Sequence, residues 1–380
     1  MDMSIFSQLR WNFVYQRPQH IIRRMSKGYR TFYFEEPEDI ENYQINEMKE
    51  ANYHHYVSEE GVNVIVPLVS NEERGNIPLL EKIIKQVHQD FSIEPDIFWY
   101  YTPMAMAYTS FFNPKITIYD CMDQLAAFKN APQNLISLEQ ELFRRADLVF
   151  TGGRRLYEEK KKHHPLVHCF PSSIEREHFE KAKTQLSNPE DQQAIPRPIA
   201  GFYGVIDERF DIELLRELSS LLPNWSLVIV GPTAKIDPEN LPKAENIHYL
   251  GMKKYAELPH YLANWDAAIM PFALNESTEF ISPTKTPEFL AAGKKVVSTA
   301  VHDVVHPYEE LGLVSIGRSS QEFAEHVKNS QETDLQWAEA VDAYLKDFSW
   351  DDTTQQMNQL IEEKLEEKGL VDTKQINKTL

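Results

Sequence analysis

Short apolar runs alternate with helix-patterned stretches along nearly the whole chain, and the alternation stops and restarts once. Residues 4–9, 31–34, 62–66, 96–101, 116–119 and 147–151 read as strands, with helical stretches between several of them. Helix signals are clear at 19–27, where Pro18 suits the start and Gly28 the end. A polar segment ending in Pro196-Arg197-Pro198 follows. Strand-like runs then resume at 200–203, 227–230, 247–250, 267–270, 296–298 and 314–316, with helices at 214–221 and 258–263. This order points to parallel sheets covered by helices. We therefore expect an α/β fold of two Rossmann-like units facing across a cleft, the default ligand site. The boundaries expected are an N-terminal domain 1–186, a linker 187–198, a C-terminal domain 199–346 and a helical segment 347–380. Within that segment Ser349 suits a helix N-cap, ahead of Met357, Leu360, Ile361 and Leu365 on one face.

At 380 residues, two domains of ordinary size are the simplest division. The 58 acidic against 39 basic residues leave a formal charge of −19, which argues against a nucleic-acid binder. Basic residues do crowd locally, at Arg10, Arg17, Arg23, Arg24, Lys27 and Arg30 and again from Arg154 to Lys162. Solvated faces are the default for such runs, and docking to anionic lipid or to a phosphate-bearing acceptor is the alternative. Cys121 and Cys169 have no metal-ligand spacing, so reduced thiols in a cytoplasmic protein are expected. The chain shows neither a signal-peptide pattern nor an apolar run of membrane-spanning length, so any membrane association, at the inner face of the cell membrane, would be peripheral.

The stretch from Ser282 to Ser298 carries the most chemistry. Two Ser/Thr-Pro pairs precede a short helix, Gly293 ends it, and Val296-Val297 follows as a buried strand. Free N–H groups at the helix start, with Lys285 and Glu288 beside them, suit a ligand bearing both phosphate and vicinal hydroxyls. An ordinary strand–helix–strand unit with a surface lysine and glutamate fits the same spelling.

Taken together, these segments resemble the GT-B glycosyltransferases, especially the family-4-like branch. The resemblance rests on Ala267-Ala268-Ile269-Met270-Pro271-Phe272, on Ser282-Pro283-x-Lys285-x-x-Glu288-x-Leu290-Ala291-Ala292-Gly293, and on Tyr255-x-Glu257-Leu258-Pro259, Val230-Gly231-Pro232 and Phe348-Ser349-Trp350. Gln16-Arg17-Pro18-Gln19-His20, Tyr119-Asp120-Cys121-Met122-Asp123 and Gly204-Val205-Ile206-Asp207-Glu208-Arg209 further resemble bacterial cell-surface polysaccharide transferases of the teichuronic-acid type. The resemblance implies transfer of a sugar from a nucleotide-diphosphate donor to a carbohydrate or lipid-linked acceptor. It also implies a C-terminal helix returning to the N-terminal domain. A sugar-nucleotide epimerase of the same fold, or a non-catalytic nucleotide-sugar-binding assembly protein, are the alternatives.

By the same resemblance, Glu288 holds the donor ribose, and Lys285 lies near its phosphates with the Thr284–Thr286 backbone. Arg209 faces the diphosphate, with Lys235 as a second cation, and Gly231 lets the nucleotide approach the backbone. Many members carry a second glutamate before Glu288's place, with seven residues between the two, but Phe280 stands there. Glu276 is kept as a sugar-contact candidate, and the stereochemical course is open. Asp123 is the expected acceptor base, with Asp120 close behind, and capping or solvation of either is the alternative. His20 joins them as a catalytic candidate. Arg17, Gln19 and Gly153 are candidates for phosphate or acceptor. No Asp-x-Asp pair at a strand end or His/Cys cluster points to a metal, and no cofactor beyond the nucleotide-sugar substrate is expected.

Overall fold

The computed structural model describes residues 1–43, 52–184, 186–332 and 335–370. The N-terminal sheet comprises β1 (Asp2–Phe6), β2 (Arg30–Phe34), β3 (Glu38–Asp39), β4 (Tyr53–Val57), β5 (Asn63–Val69), β6 (Ile97–Tyr100), β7 (Ile116–Cys121), β8 (Leu148–Thr151) and β9 (Val167–Cys169). Its order is β3-β5-β2-β1-β6-β7-β8-β9, parallel throughout, with β4 antiparallel to β5. The C-terminal sheet comprises β10 (Ile199–Tyr203), β11 (Ser226–Val230), β12 (Ile247–Gly251), β13 (Ala267–Met270), β14 (Val296–Ser298) and β15 (Ser315–Ile316). It runs β12-β11-β10-β13-β14-β15, all parallel. In both sheets the first strand is central and the winding reverses beside it, at β1/β6 and at β10/β13. Loops leaving the carboxyl ends diverge there and open a crevice.

Side-chain alternation decides which face each strand residue covers. On β6, Phe98 and Tyr100 pack with Leu80, Ile83, Ile84 and Val87 of the helix Ile77–Asp90, whereas Trp99 points to the other face with Met3 and Ile5. That second face is covered by the helix Arg17–Met25 and by the C-terminal helix Trp350–Glu367. Ser349 starts the latter by accepting from the Asp352 N–H at 2.9 Å. Its Trp350, Met357, Ile361 and Leu365, spaced at helical intervals, are all buried in the N-terminal core. Each side chain of this size buried fully contributes about 1.5–3 kcal/mol, enough to return the chain's end to the first domain. Residues 371–380 of the expected helical segment lie outside the described residues.

The crossing between domains lies earlier than the polar segment 187–198. Ile174, Phe179 and Ala182 already belong to the C-terminal core, so the chain passes over near Phe170–Ile174. The polar segment is itself docked: Trp265 Nε1 donates to the buried Gln192 at 2.9 Å, and Tyr261 donates to Asp191 at 2.7 Å. The N-terminal basic run is largely neutralised within the chain. Arg10 pairs with Glu35 and Glu38, Arg23 and Arg24 with Glu175, Arg24 also with Asp351, and Arg30 with Asp2. Among the described residues, no helix is long and apolar enough to cross a membrane.

Candidate functional site

A cleft of about 1050 Å³ opens where the carboxyl ends of the two sheets face each other. Its C-terminal wall is built from three strand ends laid side by side. The Gly204 N–H donates to Val230 O at 2.8 Å and the Gly231 N–H to Gly251 O at 2.8 Å, so β10, β11 and β12 finish level. Glycine is required at the first two turns. Gly204 has φ +148°, and a Cβ there would lie 2.2 Å from Lys285 Cε. Gly231 has φ +141°, and its Cβ would lie 1.9 Å from Gly204 O. The wall is thereby low enough for Lys285 to reach across to β10, where its ammonium stands 5.7 Å from the Phe202 ring.

Lys285 opens the helix Lys285–Ala291, and Glu288 lies one turn further on. Thr284 caps it in helical geometry with no side-chain bond, and Gly293 at φ +71° ends it as the sequence predicts. Lys285 and Glu288 both line the cleft. Burial pushes the Glu288 carboxyl up and the Lys285 ammonium down, and each partner's charge works against the other's shift. The Tyr203 hydroxyl, at the end of β10, donates to Glu288 Oε2. Arg209 faces the same cleft and is gripped by Asp207 through three side-chain bonds of 2.6–3.1 Å. Its guanidinium also stands 5.4 Å from the Phe128 ring of the N-terminal domain.

Across the cleft stand the 11–17 loop, Met122 and Asp123. Burial pushes the Asp123 carboxyl up, with the Asp207 charge adding to the rise and Arg209 opposing it. Asp123 is thus an N-terminal carboxylate of the cleft within electrostatic reach of Arg209 and Lys235.

Several expected site residues stand elsewhere. Asp120 is fully buried, and the Arg17 guanidinium donates to it at 2.9 and 3.1 Å and to Phe170 O at 2.7 Å. Arg17 touches the cleft, but each of its three guanidinium nitrogens already donates, to Asp120 or to Phe170 O. Strand β7 runs on through Asp120 to Cys121, which turns this carboxylate into the domain instead of onto a loop. His20 stacks on Trp350 at 4.8 Å, edges against Tyr15 and Tyr255, and does not line the cleft. Desolvation drives its imidazolium form well out of favour. Gln19 does line the cleft, but its amide is spent on folding the preceding loop, donating to Trp11 O at 2.9 Å and accepting from the Gln16 N–H at 3.0 Å. Gly153 packs beside Asp303 and Ser282 outside the cleft lining. The Thr286 side chain points into the core toward Met270. Glu276 and Lys235 are exposed outside the lining, although Lys235 stands 5.2 Å from the Phe128 ring. Tyr203, Asp207 and Tyr255 were missed, although Tyr203 and Asp207 lie within six residues of the switch-point strand end, where side chains of an α/β site gather.

Comparison with known proteins adds to this geometry. Residues 197–332 match the family described as Glycosyl transferases group 1. TuaH of Bacillus subtilis (strain 168), a protein assigned as a teichuronic acid biosynthesis glycosyltransferase, is 30% identical over 217 residues, covering 53% of this chain and 54% of that protein. The chain thus matches about half the length of that relative. Sucrose-phosphate synthase from Thermosynechococcus elongatus superposes with a TM-score of 0.68 at 15% identity, covering 95% of this chain and 98% of that one. The Anabaena protein HepE, solved with UDP and glucose, gives 0.66 at 15% identity over 95% and 99%. The UDP-forming α,α-trehalose-phosphate synthase of Burkholderia vietnamiensis gives 0.67 at 10% identity over 96% and 100%. The fold is GT-B.

The two GT-B domains are drawn together here by contacts beside the cleft. Asp303 of the C-terminal domain caps the N-terminal helix Arg154–Lys160, accepting from the Arg154 and Arg155 N–H groups at 2.7 and 3.0 Å. Arg155 pairs with Glu279 at 2.6 Å, and Ser172 donates to Ser282 O at 3.0 Å. Tyr15 stacks on Tyr255 at 4.8 Å. Replacing Asp303 with alanine is expected to cost about 1–2 kcal/mol, as loss of a helix cap does. A denaturant midpoint shift in the full chain checks it, and an unchanged midpoint would show the cap to be idle.

Proposed function

We propose that the protein is a glycosyltransferase that moves a sugar from a nucleotide-diphosphate donor to a carbohydrate or lipid-linked acceptor in cell-surface polysaccharide synthesis. The observation carrying this reading is the convergence of Lys285, Arg209 and Glu288 on one wall of the interdomain cleft, at the switch point of the C-terminal sheet. Two cations suit a diphosphate, and the carboxylate suits a ribose diol. The group 1 match over that domain and the resemblance to TuaH support both the chemistry and the pathway class.

In this reading the donor lies against the C-terminal wall and the acceptor against the N-terminal one. Asp123 takes the proton from the attacking acceptor hydroxyl, and its upward-shifted carboxyl brings it nearer the working pH of a general base. Lys285 and Arg209 stabilise the charge gathering on the departing nucleotide, without a metal. Action in the cytoplasm, with peripheral contact to the membrane that carries a lipid-linked acceptor, belongs to the same proposal.

A thermal-shift panel of UDP-, GDP-, ADP- and dTDP-sugars tests it, run on the wild type and on Glu288→Gln. A true donor at a hundredfold its Kd stabilises the protein by about 2.7 kcal/mol. The substitution should remove most of that response. A flat panel on the wild type would overturn the reading. UDP-sugars come first, because HepE was solved with UDP.

A further inference from the structure

The bond between Tyr203 and Glu288 goes beyond the family pattern, which concerns the carboxylate alone. Tyr203 is the last residue of β10 and 6% exposed. Its ring is fixed on three sides, edge-on to Phe289 at 4.8 Å, 6.2 Å from Trp265 and nearly parallel to Phe179 at 6.4 Å. The hydroxyl therefore cannot swing, and it is spent on Glu288 Oε2. Glu288 sits on a helix whose Phe289 and Leu290 are fully buried, so its own backbone is fixed too. Two rigid elements thus hold one carboxylate in one orientation.

We propose that Tyr203 is a positioning residue of the donor site, resting on the function proposed above. By occupying one oxygen of Glu288 it presents the other to the 2′- and 3′-hydroxyls of a ribonucleoside diphosphate. A freely rotating glutamate would spread its acceptor strength over several rotamers and lose side-chain entropy on binding. A tethered one is organised beforehand and discriminates against a sugar ring lacking hydroxyls, because its oriented acceptor is then left unpaired. The groups facing Glu288 are Lys285 on its own helix, Tyr203 on β10 and Tyr255 from the segment after β12, with Arg209 acting on Lys285. Burial favours the neutral acid, whereas the Tyr203 hydroxyl and Lys285 both favour the carboxylate.

Tyr203→Phe keeps the ring and deletes the tether. Calorimetric affinities for UDP, GDP and ADP, each beside its 2′,3′-dideoxy counterpart, read the consequence. For the nucleotide that binds, the variant should lose about tenfold in affinity for the ribose form and less than about twofold for the dideoxy form. The low-pH fall-off in ribose-form affinity should also move to higher pH, because the carboxylate has lost a stabilising donor. Glu288→Gln should level the same ribose-to-dideoxy preference, which keeps the test open if the phenylalanine variant folds poorly. Equal loss on both forms, or none, overturns the positioning role while leaving the donor site standing. Failure of the wild type to bind any of the three nucleotides overturns the functional reading and this inference together.

Discussion

Removing Lys285 and Arg209 together, as Lys285→Ala/Arg209→Ala, is expected to lower kcat/KM by about 10³–10⁴-fold while leaving the fold intact. Both cations face the cleft from one wall. Arg209 is held ready by Asp207 before any ligand arrives, so little reorganisation is needed when charge develops on the leaving group. Lys285 is confined between Gly204 and the Phe202 ring, in surroundings that already weaken its charged form. A phosphate would supply the counter-charge that burial withholds.

The two single variants should differ. Loss of Lys285 also strips Glu288 of the cation that opposes its upward shift, so Lys285→Ala should impair ribose binding as well as leaving-group stabilisation. Arg209→Ala should act mainly on kcat. Lys285→Arg should not restore activity, because the wider guanidinium has no room where Gly204 allows a slim ammonium stem. Release of nucleoside diphosphate from the donor found in the thermal-shift panel measures each case. Near-normal turnover in the double variant, or rescue of it by added Mg²⁺, would contradict the cation-based, metal-independent account.

How much of this was legible in the sequence depended on whether the deciding interaction was local. Strands β10, β11, β13 and β14 of the C-terminal sheet could be read from compact apolar runs, because burial on both faces leaves little else to encode. The Lys285–Ala291 helix was legible from the Ser/Thr-Pro pairs at its start and its terminator at Gly293. Strand β4, spelled Tyr-His-His-Tyr-Val, pairs antiparallel to β5 and carries too many half-buried polar rings to announce itself. Strand β9 has three half-buried residues and no pattern at all. The roles of His20 and Asp120 were set from afar. His20 is claimed by Trp350, some 330 positions along the chain, and Asp120 by Arg17, across 103. Ending β7 at Tyr119 made Asp120 and Asp123 look like neighbours on one loop. Two more residues of strand separate them into a core ion pair and a cleft carboxylate.

That separation makes Asp120→Ala a strong test of the N-terminal domain. The pair is almost solvent-free, with side chains 3% and 0% exposed, so deleting the carboxylate strands the Arg17 guanidinium in a low-dielectric interior. The expected cost is about 3–5 kcal/mol, much of it the penalty of the orphaned charge and not the worth of the contact. Arg17→Met should cost a comparable amount from the other side. The double variant Arg17→Met/Asp120→Ala, which buries no charge, should be less destabilised than the two singles added together, with a coupling of about 1–3 kcal/mol. Urea titrations monitored on the six tryptophans measure the cycle. Activity of Asp120→Ala should fall only in step with the folded fraction, because Asp120 is sealed in the core outside the cleft lining. If Asp120→Asn stays fully folded yet loses turnover, then Asp120 is the proton acceptor after all and Asp123 is not.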